Sequence, residues 1–201
     1  MKQLTPIAED RERVRRVQNA LADSWFTALI CSLPKHVLLL TGYWPVIGTS
    51  IAIVVKGGPT YLIVPQDEEQ LARKGHADQL LTFRPASLDR LTTAAEEVRE
   101  ALSSVLETIH LPASAIGADI GDHVEPASYA ATHFYGHSLQ MLVRELAPDC
   151  HLHSAEDLLA QMQASLTGAE LERVGGRARL GGEPARDGVA AIQKVQTHVG
   201  E

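Results

Sequence analysis

Two short segments dominate what this chain can fold into. Residues 50–55, Ser-Ile-Ala-Ile-Val-Val, and residues 60–64, Thr-Tyr-Leu-Ile-Val, are apolar and rich in β-branched side chains, with almost no polar alternation. A strand of that kind is buried on both faces, so it belongs at the centre of a sheet. Lys56-Gly57-Gly58-Pro59 between them reads as a hairpin turn. A sheet covered on both faces needs helices on both sides, and the rest of the chain supplies them. Only 4% of the residues are aromatic, so Leu, Val, Ile and Ala must fill the core, which suits helices laid on a sheet.

A first helix is expected over residues 8–24, with Val14, Val17 and Leu21 as its buried stripe. A strand over 26–31 follows, and after it an interrupted stretch, 34–50, that reads as a loop. Beyond the hairpin, Asp67 is placed to cap a short helix reaching Arg73 and ending at Gly75. Residues 79–83 read as a strand. Ser87 is the expected N-cap of a long helix presenting Leu88, Leu91, Ala95, Val98, Leu102, Val105 and Ile109 on one face. A strand at 116–120, a helix from Pro126 to Leu146, and a last helix bearing Leu158, Leu159 and Met162 complete the pattern. The expectation is a three-layer α/β domain, a sheet flanked by helices.

The formal net charge is −7, which argues against nucleic acid as a partner, because phosphate contacts need a clustered basic surface. Arg11, Arg13, Arg15 and Arg16 are interleaved with Glu9, Asp10 and Glu12, the pattern of a solvated helix face. Cys31 and Cys150 are the two cysteines; without CxxC spacing or a secretion signal they suggest a reducing cytoplasm, not a disulfide framework. No apolar run approaches the ~20 residues of a membrane span, so a soluble chain is expected.

The stretch 34–50 concentrates aromatic residues and turn formers between two apolar segments. Its opening, PKHVLLLTGY (34–43), with the helix before it and the strand after it, resembles the N-terminal domain of the creatinase, prolidase and Xaa-Pro aminopeptidase family. SAEDLLAQMQASLTGAELERV (154–174) resembles the link from that domain into the family's catalytic domain. The resemblance spans residues 11–174 and implies a mixed sheet of ribonuclease-H-like topology flanked by helices. In the family, catalysis belongs to a following domain whose two divalent ions (Mn, Co or Zn) are held by two Asp, one His and two Glu.

On that resemblance, residues 1–165 are the N-terminal domain. Residues 166–201 are a partly frayed remnant of the catalytic domain's start, helical from 168 to about 174, with fraying or a separate short helix over 189–195 after it. Gly175, Gly176, Gly181, Gly182, Pro184 and Gly188 oppose one continuous helix. The chain is then expected to hold no catalytic residue and no metal or other cofactor of its own. Its expected partners are a second copy or a catalytic-domain chain, with peptide as substrate only when that domain is supplied. Its role would be to shape substrate access and mediate dimer contacts; the alternative is a stand-alone peptide- or protein-binding module derived from a peptidase.

The candidate contact residues are Tyr43, Trp44, Ile47, Thr49 and Ser50. In some relatives this loop supplies a charged residue to the substrate. Residues 46–50 contain no Arg, Lys or Glu here, which favours an apolar wall; internal packing of Trp44 and Ile47 is the competing reading. Other constellations are weaker. His133 and His137 stand at i and i+4, but Phe134 occupies the place where a metalloprotease helix carries its Glu. His151 and His153 share a face if extended, without a third ligand. Asp119 and Asp122 read as a strand-end turn before a paired-carboxylate site. Cys31 with His36 reads as a buried small hydrophobe beside a His before a nucleophile and base. A His-based metal enzyme remains a third possibility. No nucleophile elbow, P-loop or dinucleotide fingerprint is present.

Overall fold

The two apolar segments become β2 (Ile51–Val55) and β3 (Thr60–Pro65), adjacent antiparallel strands in register Ile53 to Tyr61. The computed structural model describes residues 11–46, 49–110, 115–120 and 137–172. Of these, residues 11–165 lie in one compact unit and 166–172 in another. In the first, β1 (Ala28–Cys31) pairs antiparallel with β2, while β4 (Gln79–Phe83) runs parallel to β3. On the other side β5 (Ala115–Ala118) runs parallel to β1, and β6 (His151–Ser154) parallel to β5. The six-stranded sheet has the order β4-β3-β2-β1-β5-β6. It is the sheet covered on both faces that the apolar pattern implies, and the mixed sheet that the family resemblance implies.

Alternate side chains feed two cores because strand residues alternate faces. Leu29, Ala52, Val54, Leu62 and Val64 pack under α1 (Arg11–Asp23), α2 (Pro34–Thr41) and α6 (Glu156–Ala164) through Val17, Leu21, Val37, Leu40, Leu159 and Met162. Ile30, Ile51, Ile53, Ile63 and Ile116 meet α4 (Ala94–Ile109) and α5 (His137–Leu146) through Val98, Leu102, Val105, Leu139, Leu142 and Val143. Each such side chain contributes about 1.5–3 kcal/mol on burial.

Several sequence expectations need correction. Residues 34–41, expected as loop, form α2: Pro34 sits in its first turn, where a missing N–H costs nothing, and Gly42 ends it at φ 71°. Only glycine takes that left-handed conformation without a Cβ penalty. The long helix does not start at Ser87. Its N-cap is Thr93, whose hydroxyl accepts from the Glu96 amide at 3.3 Å while the Glu96 carboxylate accepts from the Thr93 amide at 2.8 Å. This capping box outcompetes Ser87, which pairs instead with Arg90 across a small loop. Leu88 and Leu91 are consequently 97% and 85% exposed.

Asp67 caps nothing: a 3-10 turn, Gln66–Glu68, leads into α3 (Glu69–Ala72), and neither start has a side-chain cap. Arg13 leaves the solvated face assigned to it. It is buried and donates to the Met162 and Ser165 carbonyls at 2.8 and 2.9 Å, satisfying the open C-terminal end of α6. In the second unit, residues 168–172 are helical behind a capping box between Thr167 and Glu170. The expectations for residues 8–10, 121–136 and 173–201 lie outside the described residues.

Candidate functional site

Helix α2 has a buried carboxylate at each end. At its N-terminal end the capping position is Leu33, which brings no capping side chain, and the His36 and Val37 amides turn back to the Leu33 carbonyl at 2.9 Å. The two amides leading into the helix find their acceptor 86 and 87 residues away: Asp119, just past β5, accepts from the Leu33 amide at 2.8 Å and from the Ser32 amide at 2.9 Å. The same oxygen lies 3.2 Å from His36 Nδ1. A negative charge here also meets the positive end of the helix dipole. Cys31 lies in this group, and its thiol is pushed well above its ordinary pKa, first by burial and then by the charge of Asp119. The Cys31 sulfur is therefore a protonated, inaccessible hydrophobe, not an activated nucleophile.

At the other end, Gly42 donates its amide to the Leu38 carbonyl at 2.8 Å and the Tyr43 amide donates to Thr41 Oγ1 at 3.3 Å. The chain is packed tightly here. The His76 amide reaches the Thr41 carbonyl at 2.7 Å, and a Cβ on Gly75 would come within 2.5 Å of that same oxygen. Tyr43 then turns inward and donates its hydroxyl to the Glu68 carboxylate. Burial, and next the bond to Glu68, raise the Tyr43 hydroxyl above its usual pKa. The same Glu68 oxygen accepts from the Val46 amide at 2.8 Å.

Between those two bonds the chain reaches solvent. Trp44 is 55% exposed and Val46 59% exposed. Of the five contact candidates, then, Trp44 is at the surface, Tyr43, Thr49 and Ser50 are buried, and Ile47 lies outside the described residues. Glu68 was not singled out in the sequence. It sits 25 residues from Tyr43, and such a pairing has no local signature; the usable hint is that a buried tyrosine needs a partner for its hydroxyl.

The remaining constellations disperse. His151 and His153 lie on strand β6, both exposed, with His153 edge-on to the exposed Trp25 at 4.5 Å. His133, Asp122 and the His137 side chain fall outside the described residues. Among the described residues, Cys31, His36 and Asp119 form a group with donor atoms within 4.8 Å of one another. It does not fit the Asp, His and Glu set of the family's cation centre. Asp119 Oδ2 is already engaged by two amides and His36, while Oδ1 has no hydrogen-bond partner, and a helix N-terminus disfavours a cation. The arrangement is a helix cap.

This fold, with a mixed sheet and a short helix leading into an aromatic loop, defines an α/β domain flanked by helices on both faces of its sheet. Residues 13–164 match the family model described as the Creatinase/Prolidase N-terminal domain, and the chain belongs to that family. Among solved structures it is similar to a dipeptidase from Pyrococcus horikoshii, with 12% identity and a TM-score of 0.57, covering 83% of this chain and 42% of that one. A prolidase from Thermococcus sibiricus gives 13% identity and 0.55, covering 90% and 46%. The creatinase/prolidase N-terminal domain of an X-Pro dipeptidase from Streptococcus pyogenes gives 14% and 0.54, covering 75% and 98%. At these identities the likeness shows the fold. The chain spans less than half the length of the two archaeal proteins. Comparison with curated proteins returned no match.

Proposed function

We propose that this chain acts as the non-catalytic N-terminal domain of an Xaa-Pro peptidase-like protein, shaping substrate access and contributing to dimer contacts, with metal-dependent chemistry supplied by a catalytic domain outside it. The observation that carries this reading is the loop after α2: Trp44 and Val46 stand exposed on a segment whose flanks are fixed in the core of a creatinase/prolidase N-terminal domain. An aromatic surface held at low entropy suits contact with an apolar or proline-containing chain. The absence of Arg, Lys and Glu from residues 46–50 makes that contact apolar, not charge-reading. None of the helices among the described residues is long and apolar enough to cross a membrane.

Two measurements test the reading. The purified chain, supplied with Mn, Co or Zn, is expected to leave Xaa-Pro peptides uncleaved; metal-dependent turnover by this chain alone defeats it. In an assembly containing the catalytic domain, Trp44→Ala is expected to raise KM for Xaa-Pro peptides or the dimer dissociation constant by about tenfold, equivalent to about 1.4 kcal/mol. If both stay unchanged, the loop has no part in access or dimerisation. The exposure of Trp44 also supports a second reading, a stand-alone peptide-binding module. Saturable binding of a proline-containing peptide to this chain, lost in Trp44→Ala, would favour it.

A further inference from the structure

We infer that Glu68 is a positioning residue for the Trp44 contact surface: by taking donors from both sides of Trp44-Pro45, its buried carboxylate clamps that segment into one presented conformation. The functional consequence rests on the contact role proposed above; the clamp itself does not.

The geometry is that of a closed ring. Glu68 ends the 3-10 turn that follows β3, so its backbone is anchored to the sheet, and the residue is buried. One oxygen, Oε2, receives the Tyr43 hydroxyl from one side and the Val46 amide, at 2.8 Å, from the other. Trp44 and Pro45 are the residues between. On the N-terminal side the ring is closed by the Gly42 and Tyr43 amide bonds to the end of α2. Pro45 contributes a restricted φ and no competing donor.

Trp44 is more than half exposed; its neighbour Pro45 is buried, and the two bonds to Glu68 flank the pair. Charge-assisted bonds of this kind are stronger than neutral ones and are lost steeply when one partner is removed inside a buried site. A loop ordered before contact loses less conformational freedom on binding than one ordered by it. An apolar loop without charges, such as this one, gains most from being ordered in advance.

The chain has two tryptophans, which makes the test direct. In a Trp25→Phe background of the full chain, Trp44 is the remaining indole reporter. Glu68→Gln keeps the shape and removes the charge, and Tyr43→Phe removes one donor and leaves Glu68 intact. Both are expected to increase the amplitude of nanosecond depolarisation in the Trp44 anisotropy decay and to speed amide exchange at Val46 by about tenfold, while exchange at Ile53 in β2 stays at its parent rate.

Unchanged Trp44 depolarisation and Val46 exchange in both variants would overturn the clamp. So would loss of the folded state in both, since Glu68 would then be required for the whole fold. If one variant fails to fold, the other decides. The two proposals fail separately. Loosening of Trp44 with no effect of Trp44→Ala on KM or dimerisation leaves the clamp standing and removes the contact role; the converse removes the clamp alone.

Discussion

The two ends of α2 make the instructive comparison in this molecule. Each has a buried carboxylate taking backbone amides from a segment distant in sequence, Asp119 at the start and Glu68 beyond the end. Around Asp119 everything is interior: Ser32, His36 and Cys31 are buried, and the amides it accepts lead directly into a core helix. Around Glu68 burial alternates: Tyr43 and Pro45 are buried, and the ring it closes carries Trp44 and Val46 into solvent. The same chemical device therefore serves integrity at one end and presentation at the other. What differs is whether the captured segment is itself covered.

The sharpest way to break this comparison is Asp119→Ala. It orphans two buried amides at a helix start and should cost about 3 kcal/mol of unfolding free energy, read as a lower urea midpoint. A loss below about 1 kcal/mol would mean that the N-terminal end is not held by this carboxylate. Alkaline titration probes both ends together. Burial raises the Cys31 thiol at one end and the Tyr43 hydroxyl at the other. Each folded-state pKa lies above its unfolded value, so each contribution is complete below the unfolded values, about 8.5 and 10, and is lost as pH climbs through the folded ones. Urea unfolding should therefore show falling stability above about pH 9; a flat profile to pH 11 would contradict the burial of both groups.

A local cap offers a scale for the tertiary one. Thr93→Ala opens the capping box of α4 and should cost about 1 kcal/mol, clearly less than Asp119→Ala, because the amides it exposes can turn to water. The smallest effect belongs to the loop. Trp44→Ala should change the urea midpoint by no more than about 0.5 kcal/mol equivalent, since the side chain is already largely solvated. A large loss there would place Trp44 among the fold's supports and erase the contrast between the two ends.

Legibility in the sequence followed how local each cause was. The hairpin β2–β3 is visible because its burial is two-sided and continuous, and the turn between carries its own glycines. Helix α2 was hidden for the same kind of reason. With His36, Val37, Leu39, Leu40 and Thr41 all buried, it shows no amphipathic period, and Pro34 and Gly42 read as breaks when they are its start and stop. At α4 two candidate caps competed, and Thr93 wins because Glu96 completes the reciprocal pair. Tyr43 and Trp44 are neighbours of similar chemistry; the core cluster that receives the Tyr43 ring and the Glu68 carboxylate that takes its hydroxyl are both tertiary, and Trp44 is left outside.

By itself, then, the amino-acid order determined the elements whose forces act over a few residues: apolar strands, glycine turns, helix stripes, and the family pattern that spans 13–164. Tertiary structure alone decided which carboxylates would be buried and what they would hold. Asp119 and Glu68 look like ordinary surface acids in the sequence. They become a cap and a clamp because the sheet carries each to an end of the same helix, where buried amides would otherwise go without an acceptor.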